Sequence, residues 1–141
     1  MPVTSSVRVR YAETDQMGVV YYANYLVWFE IGRVEVLRTL GFSYRALEEE
    51  HDCILPVAEA RCRYRAPARY DDAILIEARP ALLRGSVLKF AYRILRVATE
   101  GEEPTLLAEG ETTHVVCDAQ MNRKHLPAHY AAALRSHIEA G

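Results

Sequence analysis

The sequence predicts an α+β fold. Apolar and polar residues alternate over Ser6 to Tyr11, which marks an opening strand. Apolar residues then recur at helical spacing from Asn24 to Leu40, and the second half of the chain reads as β-rich runs closed by a short helix. A strand, a long helix and an antiparallel series is the α+β order. One strand pair on each side of a buried helix would not close a core of this size, so the sheet is expected to curl around the helix. The 141 residues contain no Ser/Gly linker and no internal repeat, and residues 1–141 are read as a single domain.

The elements follow in order. Val7, Val9 and Tyr11 alternate with Arg8 and Arg10 in the first strand. Gly18 marks a turn in the less regular stretch from Ala12 to Tyr22. Asn24 is expected to cap the helix, its side-chain oxygen accepting from a free N–H of the first turn. Leu26, Phe29, Arg33, Val36, Leu37 and Leu40 follow the helical spacing, with Trp28 and Ile31 widening the stripe. Gly41 stands where helices commonly end. Glu30, Arg33, Glu35 and Arg38 are assigned partly to the wetter side. Val57 to Arg65 alternates again; Ala73 to Leu83 and Val87 to Val97 are joined at Arg84-Gly85 as a hairpin. A second hairpin is expected to turn through Glu100 to Pro104 and return along Thr105 to Cys117. Pro127 opens the last helix, with Tyr130, Leu134 and Ile138 along one face.

Composition excludes several classes. Lys plus Arg is 17 and Asp plus Glu is 19, a net charge of −2 that does not describe a general nucleic-acid binder. The longest nearly apolar run, Val19 to Phe29, is shorter than the ~20 residues a membrane span needs, and Asn24 interrupts it. No basic region followed by an apolar stretch opens the chain, so no secretory signal is expected. Cys53, Cys62 and Cys117 form no CxxC pair, which reads as reduced thiols in a cytoplasmic protein. No HExxH spacing occurs among the histidines, so no metal site is expected, and His114 reads as a packed residue of the last strand. No serine stands in a GxSxG elbow. Arg61, Arg63 and Arg65 form a basic stripe that reads as a solvated face or as interface ion pairs, with phosphate binding as the alternative.

The candidate chemistry centres on Asp15, in the Thr14-to-Gly18 turn just before the long helix. A helix N-terminus presents unpaired N–H groups and partial positive charge, which can hold a developing oxyanion. A nearby carboxylate can attack the carbonyl or activate water. Gly18 allows close backbone approach to a substrate. The competing reading is that Asp15 only caps its own turn. Glu30, on the helix, is a rival carboxylate.

The run Tyr11-x-Glu13-Thr14-Asp15-x-x-Gly18-Val19-Val20-Tyr21-Tyr22-x-Asn24-Tyr25, with Phe29-Glu30 and Arg33-x-Glu35 after it, resembles the signature of hot-dog fold acyl-CoA thioesterases. The similarity is to the branch containing 4-hydroxybenzoyl-CoA thioesterase and the Tol–Pal-associated acyl-CoA thioesterase, and the order of elements agrees over nearly the whole chain. It implies a hot-dog fold, with a long central helix wrapped by a curved antiparallel sheet. It also implies subunits paired sheet edge to sheet edge, dimers that pair again into tetramers, and active sites at the dimer interface. By the same resemblance Asp15 is the nucleophile or general base, and the backbone N–H of Tyr22 polarises the thioester carbonyl. No metal or organic cofactor is implied, because a thiolate departs readily once its carbonyl is polarised.

The Arg84-Gly85-Ser86 turn resembles the loop that contacts the CoA nucleotide in relatives, and Arg123 and Lys124 are the next candidate cations for its phosphates. The expected activity is hydrolysis of an acyl-CoA thioester to the free acid and CoA. The rivals are a non-catalytic acyl-CoA binder of the same fold and a hot-dog enoyl-CoA hydratase or dehydratase. The second pairs a histidine with a carboxylate at the acyl chain, an arrangement not seen here.

Overall fold

In a computed structural model, residues 1–97 and 101–141 are described. The opening strand β1 is Val3–Arg8, and residues Tyr11–Glu13 form one 3-10 turn. Helix α1 is Asn24–Thr39 and a second helix, α2, is Tyr44–His51. Strands β2 (Val57–Tyr64), β3 (Ala73–Arg84), β4 (Val87–Arg96) and β5 (Thr105–Val115) precede helix α3, Ala128–Ala140. The strands make one antiparallel sheet in the order β1-β3-β4-β5-β2. A long helix laid along a single curved antiparallel sheet is the hot-dog arrangement.

The alternation read from the sequence decides which face is covered. Ile74, Ile76 and Ala78 of β3, with Leu88, Phe90, Tyr92 and Ile94 of β4, are buried. Glu77 and Arg93 pair across the opposite face at 3.0 Å. Arg61–Glu111 at 2.7 Å and Arg65–Glu109 continue the ion pairs there, and Arg61, Arg63 and Arg65 are all exposed. From α1, Tyr25, Trp28, Phe29, Gly32, Val36 and Leu37 enter the core. The Phe29 ring stacks on Tyr92 at 4.2 Å between centroids. It also lies over Gly110, where an added Cβ would meet the ring at 2.8 Å and the Arg61 carbonyl at 2.2 Å. Only a bare backbone allows this approach of helix to sheet.

Several expectations need correction. The first strand lies earlier than Ser6 to Tyr11, because Tyr11 to Glu13 coil into the 3-10 turn and Tyr11 is exposed. Asn24 is the first helical residue rather than the cap; Ala23 stands at the cap position with no side-chain bond. Leu26 and Ile31 lie outside the buried stripe and are exposed, because the core-facing row runs through Tyr25, Phe29, Gly32 and Val36. Arg33 is half-buried, with the phenols of Tyr44 and Tyr92 beside it. Helix α2 is an element the sequence reading lacked. Ser43 caps it by accepting from the Ala46 N–H at 3.1 Å, and Leu47 is its one fully buried side chain, with Tyr44 packed part-buried against the core. Of the second hairpin, the β5 return strand is present, while Glu100 of its turn lies outside the described residues.

A chain of polar groups crosses the buried layer. The Tyr92 hydroxyl lies 2.6 Å from Thr112 Oγ1, Thr112 Oγ1 lies 2.9 Å from His114 Nε2, and His114 Nδ1 lies 2.9 Å from the Leu55 carbonyl. A carbonyl can only accept, so Nδ1 carries a proton. Burial favours the neutral ring, in which Nε2 accepts from Thr112 and Thr112 accepts from Tyr92. Burial pushes the His114 pKa down, with a smaller push from Arg33, partly opposed by the Leu55 bond. The sign follows by linkage: the unfolded chain takes up the proton first on acidification, near pH 6.5. Stability from this group is intact above that pH and is lost as pH falls below it. The urea midpoint is expected to fall between pH 7.5 and pH 5.5, and His114→Gln is expected to flatten that slope while lowering stability at both. An equal slope in wild type and variant would remove His114 as the cause.

Candidate functional site

Asp15 sits on a short loop closed at its base. Thr14 and Val20 bridge antiparallel, the Asp15 N–H donates to the Val19 carbonyl at 2.9 Å, and the Gly18 N–H donates to the Asp15 carbonyl at 3.0 Å. The loop needs a left-handed residue, supplied by Gly18 at φ +82° with open space around it. The Met17 N–H donates to Asp15 Oδ1 at 2.9 Å, so one carboxylate oxygen does cap the turn. Oδ2 has no protein partner among the described residues. The two readings of Asp15 are compatible, one oxygen each.

The loop leads straight into α1. The Glu13 carbonyl accepts twice, from the Tyr21 N–H and from Asn24 Nδ2, both at 2.9 Å. Asn24 thus ties the helix start back to the chain before Asp15. The Asn24 N–H reaches the Tyr21 carbonyl at 2.9 Å, and the Tyr25 N–H reaches the Tyr22 carbonyl at 3.3 Å. Between them, the N–H groups of Tyr22 and Ala23 have no protein acceptor among the described residues. The Tyr21 phenol is held above its ordinary pKa, first by Tyr22 and more weakly by the Asp15 carboxylate, so the charge of Asp15 is felt at this turn.

Two further residues hold the turn in place. The Tyr64 hydroxyl, at the end of β2, donates to the Tyr22 carbonyl at 2.9 Å, and the Tyr64 ring stands edge-on to Tyr25 at 5.0 Å. The Tyr25 hydroxyl accepts from the Ala68 N–H at 3.2 Å, while the Ala68 carbonyl accepts from Val20 at 2.8 Å. Sequence reasoning passed over Tyr64. The available signal was a bulky aromatic ending the row of small residues Ala58, Ala60 and Cys62 on β2.

The basic candidates gather elsewhere. Gly85 takes φ +59° in the β3–β4 turn, Ser86 accepts from the Val116 N–H at 2.7 Å, and the Val116 carbonyl accepts from the Lys124 N–H at 3.0 Å. Asp118 Oδ1, accepting from Gln120 at 3.0 Å and Asn122 at 2.9 Å, folds the intervening loop and returns Arg123 beside Cys117. Val116 therefore brings Arg84, Gly85, Ser86, Arg123 and Lys124 together from two distant stretches of chain. Arg84 and Arg123 are exposed and unpaired among the described residues. The Lys124 ammonium is bound to the carbonyls of His51 at 2.9 Å and Asp52 at 3.1 Å, closing the end of α2.

These two groups lie at opposite ends of the sheet. Tyr64, beside Tyr22, pairs with Ala108, whereas Val57 pairs with His114, next to the ladder end that carries Arg84. At ~3.3 Å per residue the two ends of β2 are roughly 20 Å apart. The rival Glu30 is exposed on α1, and its charge is felt at Tyr44, which burial pushes up to about 12. Among the described residues no three His, Cys, Asp or Glu side chains converge as metal ligands.

With this geometry in hand, the comparisons fall into place. A family model described as the thioesterase-like superfamily matches residues 9–134. The acyl-CoA thioester hydrolase YbgC of Escherichia coli is 38% identical over 130 residues, 92% of each chain. The crystal structure of a hypothetical protein from Thermus thermophilus matches with a TM-score of 0.85 at 37% identity, covering 97% of this chain and 98% of its own. A 4-hydroxybenzoyl-CoA thioesterase in complex with 4-hydroxybenzoyl-CoA matches with a TM-score of 0.86 over 94% of this chain and 98% of its own, and at 19% identity shows a shared fold. Family match, identity along most of the chain and fold all agree: the chain belongs to the thioesterase-like superfamily.

Proposed function

We propose that this protein hydrolyses acyl-CoA thioesters to the free carboxylic acid and CoA. The observation that carries the reading is the juxtaposition of a carboxylate with one unoccupied oxygen, Asp15, and a helix start whose Tyr22 N–H is free to donate. The relatives named as acyl-CoA thioester hydrolases support it.

In this reading the thioester carbonyl accepts from the Tyr22 N–H, with the α1 dipole adding to the pull on its oxygen. Asp15 then acts in one of two balanced ways. As nucleophile, its carboxylate adds to the carbonyl carbon, the C–S bond breaks to release CoA thiolate, and water hydrolyses the resulting anhydride. As general base, it takes a proton from water while the oxygen adds to the carbon, and collapse of the tetrahedral intermediate expels the thiolate, which takes up that proton. Gly18 keeps the approach to the carbonyl open. Neither route calls on a metal or an organic cofactor.

The CoA phosphates fall to Arg84 and Arg123, with Gly85 and Ser86 shaping the turn. Lys124 adds local positive charge while its ammonium holds α2. In one chain this cluster and Asp15 stand at opposite ends of the sheet. Strand β2 is an edge strand, exposed along nearly its whole length, and its free ladder groups invite a partner strand. Antiparallel pairing of two β2 strands about a two-fold axis sets the Val57 end of one copy against the Tyr64 end of the other. A homodimer of this kind completes two sites, each with Asp15 from one chain and the phosphate cluster from the other; pairing of dimers into a tetramer is compatible with it. The free cysteines fit a cytoplasmic location.

The test is thiol release from benzoyl-, butyryl- and palmitoyl-CoA. Wild type is expected to release CoA, and Asp15→Asn to lower kcat at least about 100-fold with the fold retained. Binding without release by wild type would instead identify a non-catalytic acyl-CoA protein. Sharing of sites has its own check. Arg84→Ala is expected to raise KM for CoA thioesters about 10-fold. Mixed dimers of the Asp15→Asn and Arg84→Ala chains should then regain one wild-type site each. If co-expression restores nothing, the site does not span two chains.

A further inference from the structure

The start of α1 is ordered in an unusual way. Helices are commonly ordered at this point by a Ser, Thr, Asp or Asn side chain that accepts from the first-turn N–H groups. Here the cap position is Ala23, with no side-chain bond. What reaches the turn is a donor, the hydroxyl of Tyr64, which binds the Tyr22 carbonyl at 2.9 Å. The other bond to that carbonyl, from the Tyr25 N–H, is longer at 3.3 Å. The turn is thus held from its carbonyl side, and the N–H groups of Tyr22 and Ala23 stay free.

We propose that Tyr64 is a positioning residue for thioester activation, its hydroxyl fixing the peptide unit between Tyr22 and Ala23 so that the Ala23 N–H faces the thioester oxygen alongside the Tyr22 N–H. This rests on the hydrolase reading above and adds a residue to it. The physics lies in the peptide plane. The Tyr22 carbonyl and the Ala23 N–H belong to one rigid unit and point in opposite directions, so a bond that fixes the first aims the second. A hydrogen bond received by the carbonyl also polarises the same amide and strengthens its N–H as a donor.

The surroundings keep Tyr64 in this role. Its ring is braced edge-on by Tyr25 at 5.0 Å and Tyr22 at 6.5 Å, which restricts the hydroxyl to one region. Its phenol is pushed above the ordinary range, first by burial and then by the Cys62 thiol, so it remains a protonated donor. Because Tyr64 ends the edge strand proposed to pair with a second copy, the turn that meets the substrate carbonyl is anchored to that strand.

Tyr64→Phe tests the inference, since it removes the hydroxyl and keeps the ring. Using whichever of benzoyl-, butyryl- and palmitoyl-CoA wild type hydrolyses fastest, kcat is expected to fall about 10-fold while KM stays within about 2-fold. That is less than the ~100-fold or more of a directly bonding donor, because Tyr64 acts through another group. A structural role alone would not move the carbonyl stretch of the bound thioester. In the Asp15→Asn background, isotope-edited infrared of a carbonyl-labelled substrate should show a lowered stretch that shifts back when Tyr64→Phe is added. An unchanged kcat and an unchanged stretch, with wild type active and Asp15→Asn inactive, would overturn the role of Tyr64 and leave the hydrolase reading intact. No CoA release by wild type from any of the three substrates would overturn both. If Tyr64→Phe does not fold, 3-fluorotyrosine at position 64 decides. Its more acidic hydroxyl should lower the stretch further and raise kcat, and no change in either would reject the inference.

Discussion

The position of α1 on the sheet rests on one contact, the Phe29 ring against the bare backbone of Gly110. With a Cβ at 110 the helix would have to lift away, because that atom would overlap both the ring and the Arg61 carbonyl. Tyr92, the cross-strand neighbour of Gly110, stacks on the same ring and adds to the contact. Gly32 repeats the arrangement one turn on, where an added Cβ would stand 2.9 Å from Ala78 Cβ. Close-packed interiors transmit such constraints. Where the helix lies decides where its first turn lies, and that turn carries Tyr22.

From that seat the rest of the candidate site follows. The helix start must be tied to the chain before it, and the Glu13 carbonyl does this by receiving both Tyr21 and Asn24. It must also be tied to the sheet, and Tyr64 and Tyr25 do this through the Tyr22 carbonyl and Ala68. None of these bonds uses the N–H groups of Tyr22 and Ala23. A turn ordered on one side and left open on the other is suited to receiving an acceptor from outside the chain. Asp15, with one oxygen spent on its own loop and one free, stands within electrostatic reach of the same turn.

The sheet then imposes a separation. Strand β2 runs from the neighbourhood of the Arg84 and Arg123 cluster at Val57 to the neighbourhood of Asp15 at Tyr64, so one chain holds the two groups at opposite ends. An antiparallel pair of such edges is a simple way to join them, since a two-fold axis reverses the strand. The buried chain from Tyr92 through Thr112 to His114 lies between, binding β4 and β5 to the segment before β2 at Leu55. Every member has its partner there, the condition under which a buried polar network stabilises rather than weakens a core.

Much of this was legible in the residues. Periodicities of two and of about 3.6 assigned the strands and α1, because each periodicity follows from backbone geometry and needs no neighbour to express it. Asp15, Gly18 and Tyr22 could be read as one motif because they lie on a continuous stretch of eight residues. What stayed hidden depended on contacts between distant parts of the chain. Leu26 and Ile31 are as apolar as the core residues beside them, and only packing puts them outside the buried stripe. Helix α2 has a good cap but a single buried side chain, too little pattern to announce itself. Asn24 has the chemistry of a cap and was used instead to bind Glu13, eleven residues back. By itself, then, the sequence determined the class of fold and the loop that carries Asp15, since local periodicity and a contiguous motif suffice for both. The tertiary structure alone decided that Tyr64 holds the Tyr22 turn, that Lys124 serves α2, and that Arg84 and Arg123 meet through Val116 far from Asp15. Those outcomes are set by strand register and side-chain reach across the fold, which no stretch of neighbouring residues encodes.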